Sequence, residues 1–301
     1  MCHPKIRVKN QKRMVSCSKL GETIIDELRL CYIAEPSLLN DLSSVPLGER
    51  IDFADFSMVR IIGQHFRYLF KVFIGKKQVG NFYYGQYGVV DSCYAWFKFE
   101  NQVLYDGELF RTTLDIPYKL KLTFNNITAI DLTKDFKKNI VNVIRRLYKD
   151  ERITTIVNGK AVKNRKQIIP EFHIDYSVSL ERLRNPTFYA KQKKALHDKT
   201  KGICVCCYDK KAEVETESHK QYILDFYNNP KSLHRLEVHL NADEIRTYCS
   251  VVHIVQSVDL IFDKEFLTNM FYYHLAAVVR FTRGRTKLDW RDILLCSDRR
   301  I

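Results

Sequence analysis

The stretch Leu233-His234-Arg235-Leu236-Glu237-Val238-His239-Leu240 decides the fold, because its apolar and polar residues alternate as they do in a half-buried strand. Successive side chains of a strand point to opposite faces, so Arg235, Glu237 and His239 share one face. The earlier stretch Thr128-Ala129-Ile130-Asp131-Leu132-Thr133-Lys134-Asp135 alternates in the same way and places Asp131 on one face of a second strand. Plain core strands lack such polar residues, so both stretches predict a site on the sheet.

Asp131, Glu237 and His239 are of the types that bind a divalent cation. Residues i and i+2 of one strand aim two ligands in the same direction, and carboxylates with one imidazole suit a hard cation. Glu237 and His239 are therefore candidate ligands of Mg²⁺ or Mn²⁺, and Asp131 is a candidate site residue on the other stretch. Two alternatives stay open, namely an exposed strand face with an ordinary Arg–Glu pair, and capping of the next helix by Asp131 or Asp135.

The hydrophobic period changes along the chain. From about Asp52 to Ile130, aromatic and β-branched residues alternate between glycine turns, which predicts an antiparallel meander. An apolar stripe from Phe136 to Leu147 predicts a helix, with Arg145 and Arg146 as basic residues for DNA binding. Asn158-Gly159 predicts a hairpin. Further strands are predicted at 172–180, 202–210 and 232–240, and helices near 186–198, 213–228 and 242–281.

Strands followed by a helix, twice over, predict an α+β protein with antiparallel sheets flanked by helices, in two α+β lobes. The expected divisions are a basic N-terminal arm and lead-in at 1–45, a first lobe at 46–150, a second lobe with the site motifs at 151–262, and a C-terminal helix with a basic tail at 263–301.

The 301 residues include 49 Lys and Arg against 35 Asp and Glu, a formal net charge of +14. This surplus must stay solvated and attracts a polyanion, of which nucleic acid is the usual one; a basic enzyme without such a partner is the alternative.

No run approaches the ~18 apolar residues of a membrane span, and residues 1–19 lack the apolar core of a secretory signal. Nine cysteines, odd in number and irregularly spaced, are typical of a reducing compartment. We expect a cytoplasmic protein without a membrane partner.

One tyrosine lies among many cations. Asn185-Pro186 is typical of a helix start, which would place Tyr189 and Lys193 one turn apart on one face. Cations steer DNA towards a phenol and favour the phenolate, so Tyr189 is a candidate nucleophile for a phosphodiester. An ordinary surface tyrosine, among seventeen in the chain, is the alternative. The neighbouring cations expected to bind DNA are Arg184, Lys191, Lys194, Lys199 and Lys201.

Four short motifs, taken in order, resemble the replication initiation factor family of small rolling-circle plasmids, whose relatives include relaxases of integrative elements and, more distantly, filamentous-phage gene II proteins. The family patterns are RxDxAxD, TxYxG, YDKxxE and RxExxL. Here they correspond to Ile127–Asp135, Thr187–Tyr189, Tyr208–Glu213 and His234–Leu240, a span of about residues 60–245. The chain departs from the patterns at Ala129, Thr133 and Lys191.

The resemblance implies an HUH-like endonuclease fold, in which Glu237-Val238-His239 replaces a His–hydrophobic–His pair. It also implies that Asp131, Glu237 and His239 together hold Mg²⁺ or Mn²⁺. It implies that Tyr189, or Tyr208 as the second candidate, nicks origin DNA to leave a 5′-phosphotyrosine and a free 3′-hydroxyl primer, and that the strand is later rejoined. The implied partners are duplex and single-stranded origin DNA, a host helicase and a second copy of the chain. A mobilisation relaxase with the same chemistry and a non-enzymatic DNA-binding regulator are the alternatives. The residues that would stabilise charge on the phosphate are Lys193, Lys210 and Arg235.

Overall fold

The computed structural model describes residues 20–88, 93–162, 172–175, 187–192 and 202–295. Within these ranges, eleven strands form one antiparallel sheet. They are β1 (Thr23–Ile33), β2 (Arg50–Asp52), β3 (Ser57–Ile61), β4 (Phe66–Ile74), β5 (Lys77–Gln86), β6 (Tyr94–Phe99), β7 (Thr123–Phe136), β10 (Phe172–Asp175), β11 (Thr187–Lys191), β12 (Cys204–Asp209) and β13 (His234–Asn241). Their spatial order is β10-β11-β12-β13-β7-β1-β6-β5-β4-β3-β2, so the two strands that alternate most clearly, β7 and β13, are neighbours.

The described helices connect the strands of this sheet. They are α1 (Pro36–Ser43), α2 (Asn101–Leu104), α3 (Gly107–Lys119), α4 (Ile140–Lys149), α5 (Lys210–Glu213), α6 (Gln221–Phe226), α7 (Ala242–Val251), α8 (Lys264–Val278) and α9 (Trp290–Leu295), with a π-helical turn at Val214–Ser218 and a 3-10 turn at Val258–Phe262. A second sheet has the order β15-β14-β8-β9 and consists of β8 (Ile153–Val157), β9 (Lys160–Ala161), β14 (Val279–Arg283) and β15 (Thr286–Leu288).

The two faces of the large sheet differ in composition. On one face, which we name the core face, Leu28, Leu132 and Val238 are fully buried. Helices such as α8 pack on this face through an apolar stripe that includes Phe271 and Leu275. Because strand side chains alternate, the opposite face, which we name the open face, receives the polar residues of the same strands. The alternation therefore separates the core from the candidate site.

The predicted α+β fold with antiparallel sheets flanked by helices is confirmed. The predicted meander is confirmed for β2 through β6, each paired antiparallel with the next. It is wrong over Asn101–Leu104 and Gly107–Lys119, which form α2 and α3, the latter capped by the Asp106 side chain. The predicted hairpin joins β8 and β9, and its turn residues Asn158 and Gly159 have φ values of 49° and 79°. Positive φ at both central residues is the conformation for which Asn-Gly is favoured.

Two predicted helices are corrected by the structure. The helix expected near 186–198 is wrong over Thr187–Lys191, which forms β11 between β10 and β12. Sheet pairing on both sides outweighs the local helix-start signal. The helix expected to run to about 281 ends at Val278, and the basic residues that follow form the β14–β15 hairpin.

The helix expected from Phe136 begins later, at Ile140. Strand β7 extends through Phe136 because this residue pairs with His234 of β13. The helix is capped by Asn139, whose side chain accepts a hydrogen bond from the Asn142 backbone N–H at 2.9 Å. Asp135 therefore does not cap α4, and the capping alternative is wrong for this residue.

The large sheet draws its strands from the N-terminal lead-in and from both predicted lobes, since β1, β7 and β13 are adjacent. This arrangement brings residues distant in sequence onto one surface. No helix in the described ranges is long and apolar enough to cross a membrane.

Candidate functional site

Three rows of facing residues cross the open face. The first row consists of Glu27, Asp131, His239 and Cys204, on β1, β7, β13 and β12. The second row consists of Thr133, Glu237, Cys206 and Tyr189, on β7, β13, β12 and β11. The third row consists of Asp135, Arg235 and Tyr208, on β7, β13 and β12. The sheet thus brings the predicted metal ligands and both candidate tyrosines onto one face.

Asp131 and His239 face each other across β7 and β13. His239 Nδ1 contacts Asp131 Oδ1 within hydrogen-bonding distance. This hydrogen bond raises the pKa of His239 and so favours the imidazolium. Burial raises the pKa of Asp131, although the bond to His239 opposes the shift. The pair can therefore hold a proton between two groups at the surface of the sheet.

Glu237 lies two residues before His239 on β13 and accepts a hydrogen bond from the phenol of Tyr208. The Tyr208 Oη to Glu237 Oε2 distance is 3.2 Å. Burial, followed by the nearby charge of Asp131, raises the pKa of Glu237 to about 8. Burial also raises the pKa of Tyr208 well above its ordinary value. Within the described ranges Glu237 forms no ion pair, and the charges of Arg235 and Lys210 only partly oppose the rise in its pKa.

Arg235 has a different environment at the end of the same face. Its side chain is fully buried and binds Asp135 with two nitrogens, at 2.8 and 2.7 Å. Its Nη1 lies 2.6 Å from Asp26 Oδ1, and its Nη2 donates to Tyr105 Oη at 2.8 Å. We name these four residues the closed cluster. Burial alone would raise the pKa of Asp26, but the charges of Arg235 and Lys210 bring it below its ordinary value.

Lys210 follows β12 and is almost fully buried, at 2% exposure. Its Nζ lies 2.8 Å from Glu213 and 5.6 Å from the ring centre of Tyr208. Lys210 is therefore close to Tyr208, whereas Arg235 is enclosed within the closed cluster. The expected phosphate-contacting role of both residues stays a prediction.

Tyr189 occupies the outer part of the second row, on β11. Two strand spacings separate it from Glu237, which corresponds to about 10 Å between backbones. The Nζ of Lys191, two residues later on the same strand, lies 5.7 Å from the Tyr189 ring centre. The predicted helical pairing of Tyr189 with Lys193 is wrong in its geometry, because Tyr189 is in a strand. Lys193 and four of the predicted DNA-binding residues lie outside the described ranges: Arg184, Lys194, Lys199 and Lys201.

Arg145 and Arg146 lie on α4, a helix that packs by its apolar side. Together with Lys149 they line an open cavity of about 580 Å³ on the outer surface of that helix. The structure therefore does not bring these two arginines together with Tyr189, and their predicted contact with DNA would be a separate one.

The predicted metal ligands agree with a divalent cation in their chemistry but not in their arrangement. Asp131 and Glu237 are oxygen donors, and burial is the largest cause of their raised pKa values. Within the described ranges, however, no three His, Cys, Asp or Glu side chains lie close enough together to hold a metal ion. Asp131 is instead bonded to His239.

Several residues of the site come from β1, which the sequence analysis treated only as a lead-in. Asp26 belongs to the closed cluster, and Glu27 faces Asp131 in the first row. The alternation of charged and apolar residues in Asp26-Glu27-Leu28-Arg29-Leu30 was a signal for a sheet strand with one polar face. Tyr105 carried no comparable signal, because it lies just after the short helix α2.

Fold and site together define an α+β protein with one open, polar sheet face that carries acidic, imidazole and phenol groups. No known protein family matches the chain by sequence, and no curated protein does either. A solved structure of a rolling circle replication initiator protein from Geobacillus stearothermophilus is similar in fold, with a TM-score of 0.47 and 16% sequence identity over 88% of each chain.

Proposed function

We propose that this protein is a rolling-circle replication initiator that nicks one strand of its origin by tyrosine transesterification and later rejoins it. The observation that carries the proposal is the set of three rows on the open face, where Asp131, His239 and Glu237 lie beside two candidate phenols. Proton-accepting groups next to a nucleophilic side chain are what phosphodiester transfer requires. The order of the four sequence motifs supports the same class of reaction.

Tyr189 is the proposed nucleophile. Its phenol oxygen would attack the phosphorus, form a phosphotyrosine at the 5′ side of the nick and release the 3′ oxygen. The phenol proton leaves on attack, and a proton returns to the 3′ oxygen to give the hydroxyl primer. The Nζ of Lys191, 5.7 Å from the Tyr189 ring centre, adds positive charge beside the proposed nucleophile. Rejoining is the reverse reaction and needs no high-energy cofactor.

Tyr208 is proposed to position Glu237 rather than to attack. Its hydroxyl donates to Glu237, and burial makes its ionisation costly. A phenol in that environment is a poor nucleophile unless Glu237 removes its proton. A positioning role predicts that Tyr208→Phe still forms the covalent adduct, whereas a nucleophilic role predicts that it does not.

A divalent cation, Mg²⁺ or Mn²⁺, is proposed as the cofactor. Asp131, Glu237 and His239 would hold it, and when bound it would polarise the scissile phosphate. Burial raises the pKa values of Asp131 and Glu237, and a bound cation would compensate this buried negative charge.

Duplex and single-stranded origin DNA are the proposed substrates, in keeping with the formal net charge of +14. A host helicase and a second copy of the chain are proposed as partners because the family resemblance implies them.

The test uses the full chain with labelled hairpin oligonucleotides from its own replicon, with and without Mn²⁺, followed by denaturing electrophoresis. We expect a metal-dependent covalent adduct in the wild type and in Tyr208→Phe, and none in Tyr189→Phe. Tyr118→Phe is a matched control, since Tyr118 lies on α3 and makes an edge contact with Tyr32 of the core face.

Loss of the adduct only in Tyr208→Phe would keep the reaction and change the nucleophile. DNA binding without an adduct under any condition would overturn the enzymatic proposal in favour of a DNA-binding regulator.

A further inference from the structure

A cavity of about 760 Å³ opens on the open face, at the end of β1 that is remote from the closed cluster. This volume lies within the roughly 300–1,000 Å³ of small-molecule sites. Trp96 of β6 and Cys31 of β1 face each other in it. Its polar lining includes Asn125 and Asn126 near the start of β7 and Arg246 on α7. The cavity therefore combines an aromatic ring with hydrogen-bonding groups and a cation.

Trp96 is part of a group of three rings that we name the aromatic shelf. The Trp96 and Tyr83 rings are nearly parallel, with centroids 6.1 Å apart and an interplanar angle of 13°. Phe66 lies 4.4 Å from Tyr83 and 5.5 Å from Trp96. Tyr83 is buried whereas Trp96 is half-buried, so the shelf holds the tryptophan ring in place and leaves part of it accessible.

Two cations lie between the aromatic shelf and the first row of the candidate site. Arg29 and Lys98 face each other across β1 and β6. Both pair with Glu27, at 3.4 and 3.1 Å, so two positive charges share one carboxylate. The one positive charge left over favours binding of a phosphate backbone along this part of the sheet.

The distance between the candidate site and the aromatic shelf can be covered by one continuous strand of DNA. Glu27 and Cys31 point to the same face of β1 and are four residues apart, which corresponds to about 13 Å. A few nucleotides of an extended strand cover this length. A strand cleaved beside Asp131 would therefore pass Arg29 and Lys98 and reach the aromatic shelf.

We propose that the aromatic shelf binds an unpaired base of single-stranded DNA, stacked on Trp96. The inference rests on the proposed function, because a nicking enzyme must hold the strand that it cuts. Bases inside a duplex stack on one another and offer no free face to a side chain, whereas an unpaired base does. The amides of Asn125 and Asn126 lie where they can meet the edges of such a base.

The first test measures the dissociation constants of two single strands of about 12 nucleotides in metal-free buffer. This length is within the ~4–16 nucleotides that single-strand sites cover. One is oligothymidylate, and the other has the same phosphates but abasic sugars. We expect the wild type to bind oligothymidylate at least about 10-fold more tightly, a typical effect of one stacked base. Trp96→Leu keeps an apolar side chain without a ring and should abolish this preference. Tyr118→Leu, a half-exposed ring on α3, should leave it unchanged.

The second test uses tryptophan fluorescence and depends less on stability. The chain has two tryptophans, Trp96 and the buried Trp290, whose Nε1 donates to the Val279 carbonyl at 2.8 Å. A base stacked on Trp96 should quench the wild type when oligothymidylate is added. In Trp96→Phe the remaining signal comes from Trp290 and should not change.

The proposal is overturned if Trp96→Leu binds oligothymidylate as tightly as the wild type, or if quenching persists in Trp96→Phe. Failure of the shelf and failure of the proposed function are distinguishable. A wild type that forms the tyrosine adduct but shows no preference for bases contradicts only the shelf. A protein that loses base stacking in Trp96→Leu but never forms an adduct contradicts only the nicking function.

Discussion

The closed cluster and the middle of the open face lie on the same two strands, β7 and β13, yet they differ in how far their buried charges are compensated. In the closed cluster, Arg235 is buried between Asp135 and Asp26 and its donors are matched by acceptors. Two residues further along β13, Glu237 forms no ion pair within the described ranges and accepts a hydrogen bond from Tyr208 instead. His239, four residues from Arg235, faces Asp131 and is bonded to it. Compensated charge stabilises the fold, and uncompensated charge marks the surface available for binding and chemistry.

The largest effect is expected for Arg235→Met. This change leaves two buried carboxylates without their cation and should lower the free energy of unfolding by about 3–5 kcal/mol. Denaturant unfolding measures it, with Arg50→Met as the matched control, because the Arg50–Asp52 pair is exposed and contributes about 0–1 kcal/mol. Equal effects of the two substitutions would contradict the structural role of the closed cluster.

A smaller effect of opposite sign is expected for Glu237→Gln. The folded pKa of about 8 lies above the ordinary value, so the wild type loses stability as pH rises from about 4.5 to about 8, when the unfolded chain releases a proton that the folded chain retains. The amide has no such proton and should raise the free energy of unfolding by about 2 kcal/mol near pH 8, but not near pH 4. Unfolding curves at both pH values in metal-free buffer test this.

A stability loss in Glu237→Gln near pH 8 would show that the carboxylate is compensated after all. The comparison between the two regions would then fail on the open side of the sheet.

The smallest effect is expected for Tyr105→Phe. The Tyr105 hydroxyl accepts from Arg235 and donates to Asp26, and its removal should cost about 1–2 kcal/mol of unfolding free energy. The control is Tyr118→Phe, a half-exposed ring whose change should stay within ~0.5 kcal/mol. No loss in Tyr105→Phe would mean that Arg235 and Asp135 alone hold the closed cluster.

Strand alternation predicted the parts of the fold that depend on local pattern. It identified β7 and β13 and the shared face of Arg235, Glu237 and His239. A strand repeats every two residues, so the sequence alone determines which side chains share a face. It did not reveal that Arg235 is buried, since its partners Asp135 and Asp26 come from strands remote in sequence.

Two features were beyond a local interpretation. Residues 187–191 follow a typical helix-start signal, yet they form a strand because both neighbouring strands pair with them. The aromatic shelf combines Phe66, Tyr83 and Trp96 from three strands, and only the register of β4, β5 and β6 brings these rings together. Long-range pairing, rather than composition, determines both.

The most direct test of the central claim, that the open face carries a tyrosine nucleophile, is to identify the peptide that binds DNA covalently. Trypsin separates Tyr189, in residues 185–191, from Tyr208, in residues 202–210. After reaction with an origin hairpin and Mn²⁺, mass spectrometry should find the phosphodiester-linked nucleotide on the peptide with Tyr189. A linked nucleotide on neither peptide, under conditions where the protein binds the hairpin, would contradict the claim.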